Sequence, residues 1–302
     1  MTADPTSTPP SPDQPENSSG SDTRAHLPLD PGSPQIGHSV KRGMTWSVVN
    51  TGASKILSFA SFAILAILLT KEDFGLFALS FSIAAFVQIF RDGGVVQLLV
   101  QRGETEYKTL RGPVFWMAFA FNSGSAITLG LLALAISAAG FKPGLAPLLL
   151  VIAIAMLLAT PGVVLQARLA MRLQFGTIAR IQLISAIIRY SGTIGLAAAG
   201  MGPLSFVLPL PVIALYESLA SYFATGETPW MSSARFETWR TLFMQSRWLV
   251  FSALSTAALN QGGYLVLGAL VDDSVVGVFF FSYQLITQVD ALLSATAGAV
   301  LF

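Results

Sequence analysis

Long apolar stretches, separated by short charged or Gly/Pro-rich segments, dominate the chain after residue 43. Eight such stretches occur, at approximately residues 44–69, 74–100, 113–139, 145–164, 179–199, 203–224, 248–270 and 275–302. Each can cross the hydrocarbon core of a bilayer as a helix, which takes about 20 residues, whereas transmembrane strands are about half as long and alternate in polarity. The pattern therefore predicts an all-α, polytopic membrane protein with about eight transmembrane helices.

The first 40 residues lack this pattern. They contain eight of the 16 prolines, five acidic residues and one arginine, Arg24. Such a segment cannot bury enough apolar surface to offset the entropy of ordering, so a disordered tail is predicted. It has no charged segment followed by an apolar core, and so is not a signal peptide. The chain's two histidines, His26 and His38, both lie in this tail, which leaves none for the membrane part.

Lysine and arginine are distributed unequally between alternate loops. One set of loops contains only Lys71 and Lys142, whereas the other set, together with the tail, contains twelve positive residues. Because cytoplasmic loops are enriched in positive residues, the N-terminus is predicted to be cytoplasmic, and eight spans return the C-terminus to that side. The twelve are Arg24, Lys41, Arg42, Arg102, Lys108, Arg111, Arg168, Arg172, Arg180, Arg235, Arg240 and Arg247.

The composition supports the membrane interpretation and narrows the function. Apolar residues make up 53% of the chain and charged residues 11%, whereas soluble domains average about 25% charged. These values exclude a soluble enzyme, a nucleic-acid-binding protein and a disordered scaffold. Cysteine is absent, which excludes disulfides, thiolate metal sites and cysteine nucleophiles. No phosphate-binding, dinucleotide-binding, serine-hydrolase or zinc-protease motif occurs, so we expect no catalytic residue, cofactor or metal site.

Residues 232–247 differ from the spans on either side. Phe236, Trp239, Leu242 and Phe243 share one face at helical spacing, and charged residues lie elsewhere. This pattern predicts an amphipathic helix in the cytoplasmic interface between spans six and seven. The alternative is a solvated linker.

The chain matches itself at an offset of 202 residues. Polar positions of span one fall on polar positions of span seven, and they recur every four residues, which places each set on one helical face. The aligned pairs are Trp46 and Trp248, Gly75 and Gly277, Phe77 and Phe279, Ser80 and Ser282, Asn50 and Ser252, Ser54 and Thr256, Ser58 and Asn260, and Gln88 and Asp290. Repeated halves around a central site are common in secondary transporters.

The repeat divides the chain into four parts. Residues 1–40 are the cytoplasmic tail, 41–224 a six-helix lobe, 225–247 a cytoplasmic amphipathic connector, and 248–302 the first two helices of a second lobe. Because Phe302 aligns with Val100, nothing matches the later helices of the first lobe. The chain is therefore expected to be C-terminally truncated.

Ionisable residues within the spans mark the candidate site, because each is costly at the bilayer centre and is expected to face a cavity or the bundle interior. Lys55 lies in a polar stripe of span one that is predicted to line a hydrated cavity, with helix–helix hydrogen bonding as the alternative. A cationic chamber suited to a diphosphate is the resulting hypothesis. The cavity candidates are Lys55, Arg189, Asn50, Ser54, Ser58, Asn260 and Arg91.

Three acidic residues have a second possible role. Asp92, Glu217 and Asp290 are candidates for coupling or for pairing. Glu217 and Asp290 could carry a coupling proton or cation, or could pair with Lys55 or Arg189. Arg91 and Asp92 precede Gly93 and Gly94, and this double glycine could break the second span. The two charges could then pair with neighbouring residues instead of binding a ligand.

Several short segments, in this order and spacing, resemble the polysaccharide-transport flippases of the multidrug/oligosaccharidyl-lipid/polysaccharide exporter superfamily. They are Gly43-Met44-Thr45-Trp46, Lys71-Glu72-Asp73-Phe74-Gly75-Leu76-Phe77-Ala78-Leu79, Phe90-Arg91-Asp92-Gly93-Gly94, Gln101-Arg102, Leu165-Gln166-Ala167-Arg168 and Gly200-Met201-Gly202. The resemblance implies two six-helix lobes that move a polyprenyl-diphosphate-linked oligosaccharide across the bacterial inner membrane by alternating access. Gln261-Gly262-Gly263-Tyr264 stands where such proteins often have an acidic residue, which leaves ion coupling open.

The expected function is therefore the flipping of a lipid-linked oligosaccharide for lipopolysaccharide or exopolysaccharide biosynthesis. The expected partners are that substrate, the lipid bilayer, and a polysaccharide polymerase with its export machinery; nucleic acid is not among them. Three alternatives stay open: a cation-coupled multidrug exporter of the same superfamily, a membrane-embedded glycosyltransferase or polymerase, and an inactive truncated remnant.

Overall fold

A computed structural model describes residues 52, 54–55, 57–89, 91 and 94–301, without the side chains of residues 105 and 288–301. The tail, Trp46, Asn50 and Asp92 lie outside these residues, as does the side chain of Asp290. Throughout the described part the regular structure is helical. The helices are α1 (Leu57–Leu68), α2 (Lys71–Gln88), α3 (Val95–Ala138), α4 (Leu145–Met171), α5 (Phe175–Ala198), α6 (Leu204–Val207), α7 (Pro209–Thr225), α8 (Glu237–Leu270) and α9 (Asp273–Leu301).

The all-α, polytopic membrane architecture predicted from the sequence is confirmed. Glu106–Ala138, Leu145–Met171, Phe175–Ala198 and Leu204–Thr225 are long and apolar enough to cross a membrane, and Leu57–Leu68 and Asp273–Thr287 are shorter apolar helices. The remaining predicted spans fall on α2 and α8. Helices α6 and α7 together form the sixth predicted span, with Pro209 at the first position of α7, where a proline costs no hydrogen bond.

The second predicted span is not one continuous helix from residue 74 to 100. Helix α2 ends at Gln88 and α3 begins only at Val95, after Gly94 with a φ of 73°. A second glycine, Gly103, has a φ of 75° and kinks α3. Both lie in the left-handed region, which glycine enters without the steric cost of a Cβ. The second span is therefore interrupted close to the double glycine, where the sequence predicted a break.

Helices α4 and α7 are joined at a proline. Pro161 lies inside α4 and disturbs its hydrogen-bond ladder. The hydroxyl of Ser218 on α7 enters this ladder: it accepts from the Gly162 N–H at 3.1 Å and donates to the Leu158 carbonyl oxygen at 2.7 Å. One side chain thus supplies partners for two backbone groups that have no water available in a membrane.

The predicted amphipathic connector is not a separate helix. Residues 237–247 form the first three turns of α8, which continues unbroken to Leu270. Leu242 is buried in a cluster with α3, Trp239 packs against that cluster, and Phe243 stacks on Phe121 at 5.8 Å. Of the four predicted apolar positions, Phe236 and Phe243 stay exposed, at 71% and 45%. The apolar face is therefore partly covered by α3, and its helix continues without a break into the span that follows.

Helices α2 and α9 cross at a pair of glycines that are 202 residues apart. A Cβ on Gly75 would lie 1.9 Å from the carbonyl oxygen of Asp273, and a Cβ on Gly277 would lie 1.9 Å from that of Lys71. The 202-residue offset converts one contact into the other, because it relates Gly75 to Gly277 and Lys71 to Asp273. The Ser274 hydroxyl also donates to Glu72 at 2.5 Å, and this pair has the same offset. The contacts have the reciprocity of a local two-fold axis, as expected where two copies of one motif meet.

Candidate functional site

Two adjoining cavities lie among the helices, and both are lined by Phe81 of α2 and Arg189 of α5. The first, about 220 Å³, is enclosed by α1, α2, α5, α6 and α9. The second, about 270 Å³, lies between the end of α2, α4, α5 and α7. Because they share these two side chains, we treat them as one site and call it the chamber.

The second cavity contains the chamber's charged groups. Arg91, from the break between α2 and α3, lines it together with Arg189 and with Glu217 of α7. The amide of Gln88 lies on the same wall. Among the described residues, none of these three charged side chains forms an ion pair within 4.0 Å, so their charges are available to a ligand. The described part of the lining therefore has two cations and one anion, which is a positive bias.

The first cavity is lined by hydroxyl and amide groups as well as by aromatic rings. Ser58 and Ser61 of α1, Thr193 of α5 and Gln284 of α9 contribute the polar atoms. Ser61 is 2% exposed, and its hydroxyl has no hydrogen-bond partner in the part of the chain that the structure describes. A buried, unpaired hydroxyl at a cavity wall is costly unless a ligand or water completes its hydrogen bonding.

The structure brings together four of the residues that the sequence singled out. Arg189, Arg91, Glu217 and Ser58 all line the chamber. Lys55 and Ser54 are half-buried on the helical turn before Ser58 but line neither cavity, and Asn260 is exposed on α8. Asn50 and Asp92 lie outside the described residues, and so does the side chain of Asp290.

Sequence reasoning missed Tyr190, Thr193 and Gln284. The signal for Thr193 was present, because it follows Arg189 by four residues and so shares its helical face. Gln284 had a weaker signal: the 202-residue offset places it on Ser82 of α2, a buried polar residue in an apolar span.

One end of the chamber is closed by the crossing of α2 and α9. Beside the two glycines, Lys142 forms an ion pair with Asp273 and donates to the Gly268 carbonyl oxygen at 3.1 Å. Phe62 stacks on Phe281 at 5.1 Å, and Phe77 stacks on Phe206 at 4.2 Å. We call this layer the closure. It consists of the glycine crossing, the salt bridge and the stacked aromatic rings, and it packs α1, α2, α6 and α9 against one another.

At the other end of the helices from the closure, a charged cluster joins the first turns of α3, the last turn of α4 and the segment that follows α7. Arg168 is 4% exposed, lies over the Tyr107 ring at 4.1 Å, and pairs with Glu104 at 2.9 Å and Glu227 at 3.0 Å. Burial tends to raise the pKa of Glu227, but the adjacent Tyr107 hydroxyl and two arginines outweigh this and lower it. The cluster is a structural joint, and neither chamber cavity is lined by its members.

Within the described residues, no group of three or more histidine, cysteine, aspartate or glutamate side chains could hold a metal ion. The chamber instead offers guanidinium, hydroxyl and amide donors. Guanidinium groups match phosphate oxygens in geometry and charge, and hydroxyl and amide groups match sugars. The arrangement suits recognition of a polar, anionic ligand.

Comparisons with known proteins identify a family that matches most of the chain. Residues 64–302 match the family described as "Polysaccharide biosynthesis protein". The teichuronic acid biosynthesis protein TuaB of Bacillus subtilis (strain 168) is 24% identical over 264 residues, which are 84% of this chain and 53% of that protein. The succinoglycan biosynthesis transport protein ExoT of Rhizobium meliloti (strain 1021) is 27% identical over 191 residues, which are 63% of this chain and 38% of that protein.

The chain thus spans about half the length of the first of these relatives and less of the second. No solved structure matches it significantly. The family match covers far more than half of the residues and includes every helix from α2 to α9. The chain is therefore a multi-pass membrane protein that belongs to the polysaccharide biosynthesis protein family.

Proposed function

We propose that the protein moves a polyprenyl-diphosphate-linked oligosaccharide from the cytoplasmic to the outer leaflet of a bacterial inner membrane. The observation that carries this proposal is the convergence of Arg91 and Arg189 on one cavity. The names of the two relatives refer to polysaccharide biosynthesis and transport, which supports a glycan as cargo. In this proposal the arginines bind the diphosphate, and the hydroxyl and amide groups of the first cavity contact the sugars.

The proposed mechanism is alternating access between two lobes, without chemical change to the substrate. In this mechanism the N-terminus is cytoplasmic, because the tail and the loops on its side of the membrane contain twelve positive residues. The closure then lies at the outer face, because it contains Lys71 and Lys142 of the other loop set. The reciprocal contacts of α2 and α9 support a six-helix first lobe over 41–224 and the start of a second lobe at α8.

Glu217 is the proposed coupling group. Of the described residues that line the second cavity, it is the acidic one, and it is half-buried in the same cavity as two arginines. Its neutralisation would increase the positive bias of the chamber and would strengthen binding of an anion. Its ionisation would weaken that binding and favour release. The same proposal includes the next step, in which the flipped substrate is supplied to a polysaccharide polymerase and its export machinery.

The test is transport by the full chain in proteoliposomes. The probe is a fluorescent polyprenyl-diphosphate trisaccharide, whose flipping is followed by quenching from one side with a membrane-impermeant reductant. Arg189→Ala and Arg91→Ala are each expected to reduce the flipping rate by at least about tenfold, since each removes a charge-assisted contact worth about 1.5–3 kcal/mol. Arg180→Ala is the matched control, because Arg180 is an exposed arginine of α5 that lines neither cavity.

Wild-type rates in both arginine variants, or no flipping by the wild-type chain, would overturn the proposal. Transport of hydrophobic cations that is lost in Glu217→Gln, without transport of the lipid-linked trisaccharide, would identify a multidrug exporter instead.

A further inference from the structure

A long apolar groove lies outside the chamber, between α3 and the first half of α8. Its volume is about 760 Å³, the largest of the cavities described above. Of the described residues that line it, four are aromatic, most of the others are apolar or small, and one is a cation. The residues that matter here are Phe86, Phe121, Gly124, Trp239, Arg240 and Phe243.

The groove is elongated along the helices. Arg240 and Leu254 of α8 both line it, and these residues are separated by fourteen positions, which is about 21 Å along a helix axis. Met117 and Thr128 mark a similar path on α3. A slot of this length covers more than half of the ~30 Å hydrocarbon core. Its shape suits a chain-like apolar molecule.

Arg240 is the charged member of the groove lining, and it lies within the first turn of α8. Its side chain is exposed, and among described residues it forms neither an ion pair nor a hydrogen bond. The groove therefore combines an apolar slot with a free guanidinium at one end. This combination matches a lipid with an anionic phosphate headgroup.

The groove and the chamber are separated by the last turn of α2. Phe86 and Val87 face the groove, whereas the next residue, Gln88, lines the chamber. Immediately after this turn the helix breaks, and a Cβ on Gly94 would lie 3.4 Å from Cβ of Ser246 on α8. Ser246 follows Arg240 by six residues, about 9 Å along α8. Arg240 and Arg91 thus lie on opposite sides of one interrupted wall.

We propose that this groove is the loading site for the isoprenoid tail of the substrate, with Arg240 binding the phosphate before it passes the helix break to Arg91. The inference rests on the proposed function and adds an entry site that is separate from the chamber. In a bilayer, apolar contact alone gives little selectivity, because the competing lipid chains are equally apolar. Selection therefore depends on the phosphate at Arg240 and on the shape of the slot.

The test is photocrosslinking of the full chain in lipid nanodiscs. The probe is a polyprenyl diphosphate with a diazirine in its tail, and labelled peptides are mapped by mass spectrometry. We expect labelling of α3 and α8 in the groove. Gly124→Trp should reduce it about tenfold, because a Cβ at Gly124 meets no atom within 4 Å and the indole would occupy the slot. Gly130→Trp is the matched control, since Gly130 is on the same helix with equally open space and does not line the groove.

Arg240→Gln tests the headgroup contact. It should weaken labelling by the diphosphate probe about tenfold and leave labelling by the corresponding uncharged polyprenol unchanged. Excess unlabelled polyprenyl diphosphate should compete, and equal excess phosphatidylglycerol should not. Competition by phosphatidylglycerol would show an ordinary lipid site and overturn the proposal, as would labelling that Gly124→Trp leaves intact.

The two proposals fail in distinguishable ways. If the groove does not bind the tail but Arg189→Ala still abolishes flipping, only the loading site is wrong. If the groove binds the tail but the chamber variants flip substrate at the wild-type rate, the chamber is wrong as the transport site.

Discussion

Ser218 illustrates how a single residue positions the chamber. Its hydroxyl bridges the Gly162 N–H and the Leu158 carbonyl oxygen across the interruption that Pro161 makes in α4. The neighbouring residue, Glu217, then lines the chamber. A small polar side chain at the contact of two helices thus determines where an ionisable group is presented.

We predict that Ser218→Ala lowers the free energy of unfolding by about 1–2 kcal/mol, because two buried backbone groups lose their partner at once. Reversible unfolding in mixed detergent micelles measures the change. Ser191→Ala is the control, since that exposed hydroxyl bonds only to the Ile187 carbonyl oxygen of its own helix, at 2.6 Å. Equal effects of the two substitutions would contradict the bridging role.

Glu227 gives a pH-dependent prediction. It accepts from Arg168 at 3.0 Å and from Arg172 at 2.7 Å, and its pKa is lowered from 4.5 in the folded protein. A carboxyl group whose pKa is lowered by folding contributes stability above its unfolded pKa, and this contribution is lost as the pH falls through the folded pKa. Glu227→Gln should therefore cost about 2 kcal/mol at neutral pH.

This deficit should shrink as the pH falls below about 4.5 and approaches the lowered pKa of Glu227 in the folded protein, where the wild-type carboxylate also loses its charge. Unfolding curves at several pH values measure it. Glu106→Gln is the comparison, because Glu106 pairs with Arg102 on the surface, where such a pair is worth about 0.5 kcal/mol or less. A pH-independent deficit for Glu227→Gln would indicate loss of packing instead of loss of the ion pairs.

At the scale of elements, the crossing of α2 and α9 depends on two glycines. Any side chain at Gly75 or Gly277 would overlap a carbonyl group of the opposite helix. The same crossing places Glu72 beside Ser274 and Asp273 beside Lys142. The glycine contacts, the hydrogen bond and the salt bridge all depend on the same approach of the two helices. If the helices separate at the closure, all three interactions are lost together.

We predict that Glu72→Cys combined with Ser274→Cys forms a disulfide readily under mild oxidation. The chain has no cysteine of its own, so this pair is the only one that can form. Adding Gly75→Leu should slow the cross-linking about tenfold or more, because overpacking of this size costs about 1–3 kcal/mol. Gly130→Leu should not slow it, since Gly130 has open space around it. Equal rates in the two backgrounds would show that the helices do not meet at these glycines.

At the scale of the whole molecule, the closure and the charged cluster lie at opposite ends of the helices, with the chamber between them. The closure joins α2 to α9, which the 202-residue offset places at equivalent positions in the two copies of the predicted repeat. Among the described residues, the cluster joins α3, α4 and the segment after α7 through Arg168 and Glu227, and all of these belong to, or directly follow, the predicted first copy. A movement of one copy against the other would therefore open the closure and leave the cluster intact.

A disulfide across the closure should consequently stop transport. The oxidised Glu72→Cys/Ser274→Cys protein is expected to flip the fluorescent lipid-linked trisaccharide at least about tenfold more slowly than the reduced protein, because the alternative state is no longer accessible. A reductant should restore the rate, and each single cysteine variant should be unaffected by oxidation. Full transport by the oxidised protein would exclude opening at this position.

Several features could be predicted from the sequence because they depend on composition or local order. The eight apolar stretches predict the helices, and the 202-residue offset aligns Gly75 with Gly277, which lie together at the crossing of α2 and α9. Arg189, Arg91 and Glu217 were identifiable because ionisable residues within spans are rare. The continuous α8 was missed because the contact of Leu242 and Trp239 with α3, which is far away in sequence, is not visible in the amphipathic pattern.

What the sequence alone determined is the all-α membrane architecture, because a bilayer leaves no solvent for unpaired backbone groups and so makes apolar length sufficient evidence for a helix. The tertiary structure decided which polar residues share a cavity. Arg91, Arg189 and Glu217 come from three separate parts of the chain, and helix rotation and packing determine which way each side chain faces. The rotation and packing of each helix depend on contacts between helices that are far apart in the sequence, and hydropathy does not encode these contacts.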